Sequence, residues 1–304
     1  MLYQDDLYPT RGDHEFLSER KDPIVYGRDV HPKRLLDKEV HEYIKHGFVV
    51  IPNAFSAKEV ASVNRQIRQL KEQQNRGRRQ EWKQNIPPGE SESLFAPDKQ
   101  DRLFYNLARD PRILERVRQI LGGAVHLHRS RIHIKNGLDS SSYPWHSEFE
   151  TWHAEDGVPR MRGVEAWLML TESTPENAAL RILAKSHLIY VACRGQDKKS
   201  NGDGLRHAAQ PSAETLTRLL YFGSLIEACG APGTLVLCDS NLMYGSSKNA
   251  AKQKQATLML SYNSVENSPV NRPFAGEELR PEPLVNRDRT PLKAKPFELN
   301  GAAG

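Results

Sequence analysis

Along the first third of the chain, apolar residues recur at helical spacing. Leu36, Val40, Tyr43 and Ile44 make a stripe that stops at Gly47, a residue suited to a helix end. GFVVIPNAF (47–55) then reads as a short buried strand. Ser56 and Glu59 have the spacing of a capping box, in which hydroxyl and carboxylate each satisfy a backbone N–H at the helix start. The helix they open carries Val60, Val63, Ile67 and Leu70 on one face. Over 75–90 (NRGRRQEWKQNIPPGE) the period is lost and the chain turns basic. A solvated loop explains this stretch better than a nucleic-acid surface, because only Trp82 interleaves the charges. A third helix is predicted over 111–121, with Pro111 at its start and Gly122–Gly123 after its end.

From Val125 the character changes to strands. VHLHRSRIHIK (125–135), VEAWLMLTE (164–172), TLVLCD (234–239) and QATLMLSYNSV (255–265) are extended candidates between turn-rich loops. Helices first and strands afterwards predict an α+β fold whose β half is a sandwich or barrel. Side chains alternate along a strand, so Arg129, Arg131 and His133 share one face and Ser130, Ile132 and Ile134 the other. Turned inward, the polar face is a binding site for something anionic. Turned outward, it is an ordinary wet face.

Composition narrows the function classes. The 304 residues carry 38% hydrophobic and 27% charged side chains, the profile of a globular protein with a real core. A net charge of +5 is modest for this length. It suits acidic small molecules or partners without making a nucleic-acid binder. No apolar run approaches the ~20 residues of a membrane span, and the acidic start MLYQDDLYPTRGDHEF is unlike a signal peptide. Cys193, Cys229 and Cys238 show no CxxC spacing and are predicted to be free thiols in a cytoplasmic protein.

His146-Ser147-Glu148 is a His-x-acid triplet. With 11 histidines and 38 acidic residues, about one such triplet arises by chance, so its surroundings must carry the argument. Those surroundings, YPWHSEFETWHAEDGVPRMRG (143–163), resemble the signature segment of the ectoine hydroxylases within the phytanoyl-CoA dioxygenase superfamily. QDDLYPTRG near the start, RKDPIVY (20–26), HRSRIHIK (128–135), MYGSSKN (243–249) and SYNSVENSPVNRPF (261–274) resemble further stretches of that family in the same order. The resemblance implies one dioxygenase-like domain over 1–304 with a double-stranded β-helix (jelly-roll, cupin-like) core. Residues 1–122 would be mainly helical and flank the barrel, 123–275 would form it, and 276–304 would be a C-terminal tail.

The resemblance also implies Fe(II), held by two histidines and a carboxylate, and 2-oxoglutarate, whose far carboxylate is clamped by an arginine. Here the chain departs from that pattern. His146 is kept, but the carboxylate is Glu148, one methylene longer than aspartate. Tyr244 occupies the position of the distal histidine, and an unperturbed phenol, with a pKa of about 10, is a poor Fe(II) ligand. Gln255 replaces the co-substrate arginine. It can hydrogen-bond a carboxylate but cannot neutralise it, which weakens the expectation of 2-oxoglutarate. Arg129 and His133 replace a glutamine and an asparagine near the co-substrate. The family's NGPL and PGSH stretches appear as Asn177-Ala178-Ala179-Leu180 and Ala184-Lys185-Ser186-His187. Phe95, Arg131, Trp152 and Ser246 match residues that line or border the family's pocket. His126, His128 and His153 read as surface or supporting groups, and His187 and His207 as remote candidates for a third ligand.

Two readings follow. In the first, a working oxygenase has a rebuilt site: His133 joins His146 and Glu148 around iron, Tyr244 lies near or on the metal, and Arg129 clamps 2-oxoglutarate or an acidic substrate. In the second, the chain is a silenced homologue that keeps the fold as a ligand-binding module or as the partner subunit of an active relative. A non-redox enzyme built on the His146–Glu148 pair is a third. All three expect a small anionic or zwitterionic metabolite, with a homodimer or a heteromer as the assembly, and neither nucleic acid nor membrane.

Overall fold

Gly47 shows how local sequence fixes the path of the chain. It closes the first long helix in the left-handed region (φ 83°), and its N–H donates to the Tyr43 carbonyl at 2.8 Å. A Cβ there would fall 2.5 Å from the His187 ring, so both the turn and the close approach demand glycine. The computed structural model describes residues 6–27, 34–75, 92–138, 142–195, 209–270, 274 and 279–298. The basic stretch after Asn75, and His207, lie outside the described residues.

In chain order the elements are β1 (Phe16–Glu19), α1 (Asp37–His46), β2 (Phe48–Ile51), α2 (Ala57–Asn75), β3 (Glu92–Phe95), α3 (Pro97–Gln100), α4 (Arg102–Ala108), α5 (Pro111–Leu121) and β4 (Val125–Lys135). Then come β5 (Tyr143–His146), α6 (Glu148–Thr151), a π-helical turn (Trp152–Asp156), β6 (Gly163–Met169), β7 (Leu180–Ala184) and β8 (Ile189–Ala192). The chain continues through α7 (Ala213–Phe222), β9 (Ser224–Ala228), β10 (Leu235–Asp239), β11 (Tyr244–Ser246) and β12 (Gln255–Ser264).

The helices obey their end signals. Ser56 and Glu59 make the capping box of α2, with Ser56 N–H donating to Glu59 at 2.7 Å and Glu59 N–H to the Ser56 hydroxyl at 3.3 Å. Asp110 caps α5, and Gly122 closes it at φ 76°. One expectation needs correction. Leu36 is the 58%-exposed residue before α1, whereas Leu35, only 1% exposed, is the one that enters the core. Non-helical backbone at Leu36 turns its side chain out of the helix's apolar stripe.

The strands form an antiparallel six-stranded sheet in the order β2-β10-β6-β12-β4-β3 and a four-stranded one in the order β5-β11-β7-β9. A small β1-β8 pair stands apart. Side chains of both larger sheets meet in one cluster, with Trp167, Met169, Val236 and Met259 from the first and Ile182 and Tyr244 from the second. The opposite face of the six-stranded sheet, including Ala166, Leu168, Leu235, Leu258 and Leu260, packs on Tyr43, Val63, Ile113 and Val117 of the helices. Each such aliphatic or aromatic side chain stabilises the fold by about 1.5–3 kcal/mol when fully buried. Facing sheets with helices on one side give the double-stranded β-helix expected from the resemblance.

A bulge decides what enters the barrel. Ser261 of β12 lies opposite Arg129, but its neighbour Tyr262 lies opposite Leu127, leaving His128 as an extra residue on β4. Without the bulge, Leu127 would share a face with Arg129. With it, Leu127 joins Ile132 and Ile134 in the helix-facing core, while Arg129 and Arg131 extend between the sheets.

The C-terminal segment is docked along the end of β4 that β3 does not reach. Asn286 N–H donates to the His128 carbonyl at 2.7 Å, Leu292 N–H to Val125 at 2.9 Å, and Arg280 reaches the buried Asp156 at 2.7 Å. No described helix is long and apolar enough to cross a membrane. The three cysteines are unpaired, Cys193 and Cys238 buried and Cys229 exposed.

Candidate functional site

His146 ends β5, and Ser147, whose hydroxyl accepts from Glu150 N–H at 3.4 Å, caps the short helix that Glu148 begins. The turn from strand to helix aims the imidazole and the carboxylate at one place. Tyr244 begins β11 directly across from His146, with ring centroids 4.4 Å apart. Its hydroxyl donates to Glu148 Oε1 at 2.5 Å and stands 3.0 Å from His146 Nε2. From the opposite sheet, Arg129 Nη2 reaches the same Oε1 at 2.5 Å. All four side chains are buried.

The proton inventory of this cluster is determined by its geometry. His146 Nδ1 faces the Pro144 carbonyl at 2.9 Å and must donate to it. The single hydroxyl hydrogen of Tyr244 goes to Glu148. Burial opposes a positive charge on His146, but the Glu148 carboxylate overrides it and raises the His146 pKa. For Glu148 burial likewise works against ionisation, yet Arg129 and His146 hold its pKa well below the usual carboxylate range. Burial and the adjacent Glu148 charge keep the Tyr244 phenol protonated, its pKa well above the usual value. Beside them, burial and the Glu148 charge push Glu165 up to about 7; its Oε2 receives the Trp167 indole N–H at 3.3 Å.

Above the cluster lies a narrow cavity of about 50 Å³. Trp167, Met169, Leu180, Val236 and Met259 give it apolar walls, and Arg131, His133, Tyr143, Tyr244, Ser246 and Gln255 add polar groups. Tyr244 belongs to its wall, whereas His146, Glu148 and Arg129 do not. Arg131 donates to Tyr143 Oη at 3.0 Å and to the Ser93 hydroxyl at 2.6 Å, with its guanidinium 5.1 Å from the centre of the Phe95 ring. It has no carboxylate partner among the described residues. For Tyr143 burial alone would raise the pKa, but Arg131 and His146 bring it down to about 8.

Several expected roles are redrawn by this arrangement. His133 does not join His146: its ring packs on Tyr143, with centroids 5.8 Å apart, and Tyr143 in turn packs on His146 at 5.0 Å. A tyrosine thus separates the two imidazoles. Arg129 spends its charge on Glu148 and presents no clamp to the cavity. Gln255 lines the cavity but gives its amide to Thr257 at 2.8 Å. Trp152 is away from the cavity, fully buried with Tyr8, Phe149 and Tyr190, its ring 4.5 Å from that of His128. Phe95 backs Arg131 without lining the cavity, and Ser246 lines it. His153 is bound to the Val158 carbonyl and His187 to that of Ile44, so neither reaches the cluster. Tyr143 and Glu165 escaped the sequence reading. Tyr143 sat in the recognised segment, and Glu165 was an acid inside an otherwise apolar strand.

The iron that the resemblance implies does not fit these residues. Three donor atoms do converge, with Nε2 of His146 and Oε1 of Glu148 3.7 Å apart around the phenol oxygen. However, one of the three is a phenol that burial and the Glu148 charge keep protonated, and the carboxylate oxygen already holds the Arg129 guanidinium. No group of three His, Cys, Asp or Glu side chains among the described residues could hold a metal ion. A divalent cation would meet a carboxylate already paired with a buried guanidinium.

Comparison with known proteins places this chain in a well-defined lineage. Residues 43–256 match the family model of phytanoyl-CoA dioxygenase (PhyH). The ectoine dioxygenase of Streptomyces coelicolor is 36% identical over 293 residues, covering 95% of this chain and 97% of that protein. The apo structure of EctD from S. alaskensis superposes with a TM-score of 0.86 at 31% identity, covering 97% of this chain and all of the other. The same protein with bound Fe gives 0.83 at 30% identity, and with 2-oxoglutarate and 5-hydroxyectoine 0.83 at 29%. From its sequence and fold together, the chain belongs to the phytanoyl-CoA dioxygenase family, as a relative of the ectoine dioxygenases.

Proposed function

We propose that this chain is an ectoine-dioxygenase-like protein whose pocket binds a small zwitterionic or anionic metabolite without iron-dependent turnover. The observation that carries the reading is Arg131: a guanidinium at the wall of a largely apolar cavity, held by neutral groups and lacking a carboxylate partner among the described residues. A ligand carboxylate supplies the missing charge in a bidentate pair, and the aromatic and aliphatic walls take its apolar ring or chain. Whether the loaded module acts alone or as a subunit beside an active relative is a matter of partners, and the pocket serves either role.

Calorimetric titration with ectoine, 5-hydroxyectoine, 2-oxoglutarate and simple cyclic amino acids tests this. Binding by at least one carboxylate, lost on the order of 100-fold in Arg131→Gln, supports the reading; that loss matches about 2.7 kcal/mol for a charged pair. No binding by any of them, or binding indifferent to Arg131→Gln, contradicts it. A second reading, the rebuilt oxygenase, is favoured by the convergence of His146, Glu148 and Tyr244 at the family's metal position. It requires a metal to displace Arg129 from Glu148.

A further inference from the structure

We propose that the Arg129 guanidinium is a tethered replacement for the metal cation, and that its charge keeps divalent metals out of this centre even when a distal histidine is restored. Arg129 Nη2 lies 2.5 Å from Glu148 Oε1, the one carboxylate oxygen that also receives Tyr244. A carboxylate buried to this depth needs a cation beside it, and the protein supplies one from β4. Arg129 enters the barrel on the same face of β4 as Arg131, and the bulge at His128 keeps its neighbour Leu127 on the helix-facing side. Its charge is shared with Glu165, which sits in the same cross-strand row: Arg129 opposite Ser261, and Ser261 opposite Glu165. A metal entering at Glu148 would stand within a few ångströms of a fixed positive charge that has no exit, since Arg129 is itself buried.

The test is a set of variants read by Co(II) alone, using calorimetry and the ligand-field absorption of the bound ion under anaerobic conditions. Wild type, Tyr244→His and Arg129→Gln are expected to show no saturable site. R129Q/Y244H is expected to gain one, on the order of 100-fold or more tighter than Y244H. R129K/Y244H, which keeps the charge, should remain without it. Circular dichroism and thermal melting establish that each variant is folded, and E148Q added to R129Q/Y244H must abolish the new site. The proposal is overturned if Y244H binds Co(II) as tightly as R129Q/Y244H, if R129K/Y244H does so, or if folded R129Q/Y244H does not bind at all. The readout is the metal alone, so failure of the carboxylate-pocket reading would leave these outcomes intact.

Discussion

Tyr244 donates its hydroxyl hydrogen to Glu148 across 2.5 Å, and by doing so it stands between the carboxylate and the pocket. Replacing the tyrosine with phenylalanine keeps the ring packing on His146 and Trp167 and removes only the donor. We predict that Tyr244→Phe lowers stability by about 1.5–3 kcal/mol, the usual contribution of a hydrogen bond to a charged group, measured by urea unfolding. Tyr244→His alone should not yield ectoine hydroxylation in the presence of Fe(II) and 2-oxoglutarate. Gln255 still offers the co-substrate no cation, and Arg129 still occupies Glu148. Formation of 5-hydroxyectoine by that single variant would overturn both points.

The Arg129–Glu148 pair is expected to be strongly coupled. Arg129→Ala leaves a buried anion with only His146 to balance it and should cost about 3–5 kcal/mol. Glu148→Ala strands the buried Arg129 guanidinium and should cost as much. The double variant removes the mismatch and should be markedly more stable than the sum of the two losses implies. Additive losses in a urea-based double-mutant cycle would mean that the two side chains are not paired in solution.

Glu165 gives a pH signature of opposite sign to that of Glu148. Its carboxyl titrates at about 7 in the fold against an ordinary value of 4.5, so the folded state binds the proton more tightly. Stability should therefore fall as pH rises from about 4.5 to about 7 and level off above that. Glu148, depressed in the fold, contributes stability that is present above about 4.5 and lost as pH falls below it. Glu165→Gln should flatten the limb between about 4.5 and 7 while leaving the acid limb in place. An unchanged limb would assign it to another group.

Ala178 and Lys185 occupy left-handed backbone, at φ 69° and 70°. Both fall where the family's NGPL and PGSH stretches carry glycine. For residues with a Cβ that conformation costs about 1–2 kcal/mol, so Ala178→Gly and Lys185→Gly should each stabilise the protein by about 1 kcal/mol. Thermal or urea melts decide it. A loss of stability in either variant would show that the side chain repays its backbone strain through contacts.

These results show where sequence was informative. The strand from Val125 to Lys135 was legible because Arg129, Arg131 and His133 alternate with Ser130, Ile132 and Ile134, and α5 because Pro111 and Gly122–Gly123 mark its ends. The bulge at His128 shows along the chain only as a change of phase, with apolar residues at Val125 and Leu127 and then at Ile132 and Ile134, and it takes Leu127 out of the barrel. Conversely, α7 and the edge strand β9 went unread: Leu220, Tyr221, Phe222, Leu225 and Ile226 are apolar but exposed, so their pattern carries no burial period. At the site, the family resemblance pointed to His146, Glu148 and Tyr244, and the fold brings these three side chains together. Pairwise chemistry was the missing part. That Arg129 would be consumed by Glu148, and that Tyr143 would separate His133 from His146, depends on distances between β4, β5 and α6 that no spacing along the chain encodes.

The central claim, a centre closed to iron by its own arginine, is tested most directly by anaerobic Fe(II) titration of metal-stripped protein in a calorimeter, with and without 2-oxoglutarate. The account predicts no saturable Fe(II) binding in either condition. Micromolar or tighter binding that strengthens with 2-oxoglutarate would contradict it and establish the rebuilt oxygenase instead.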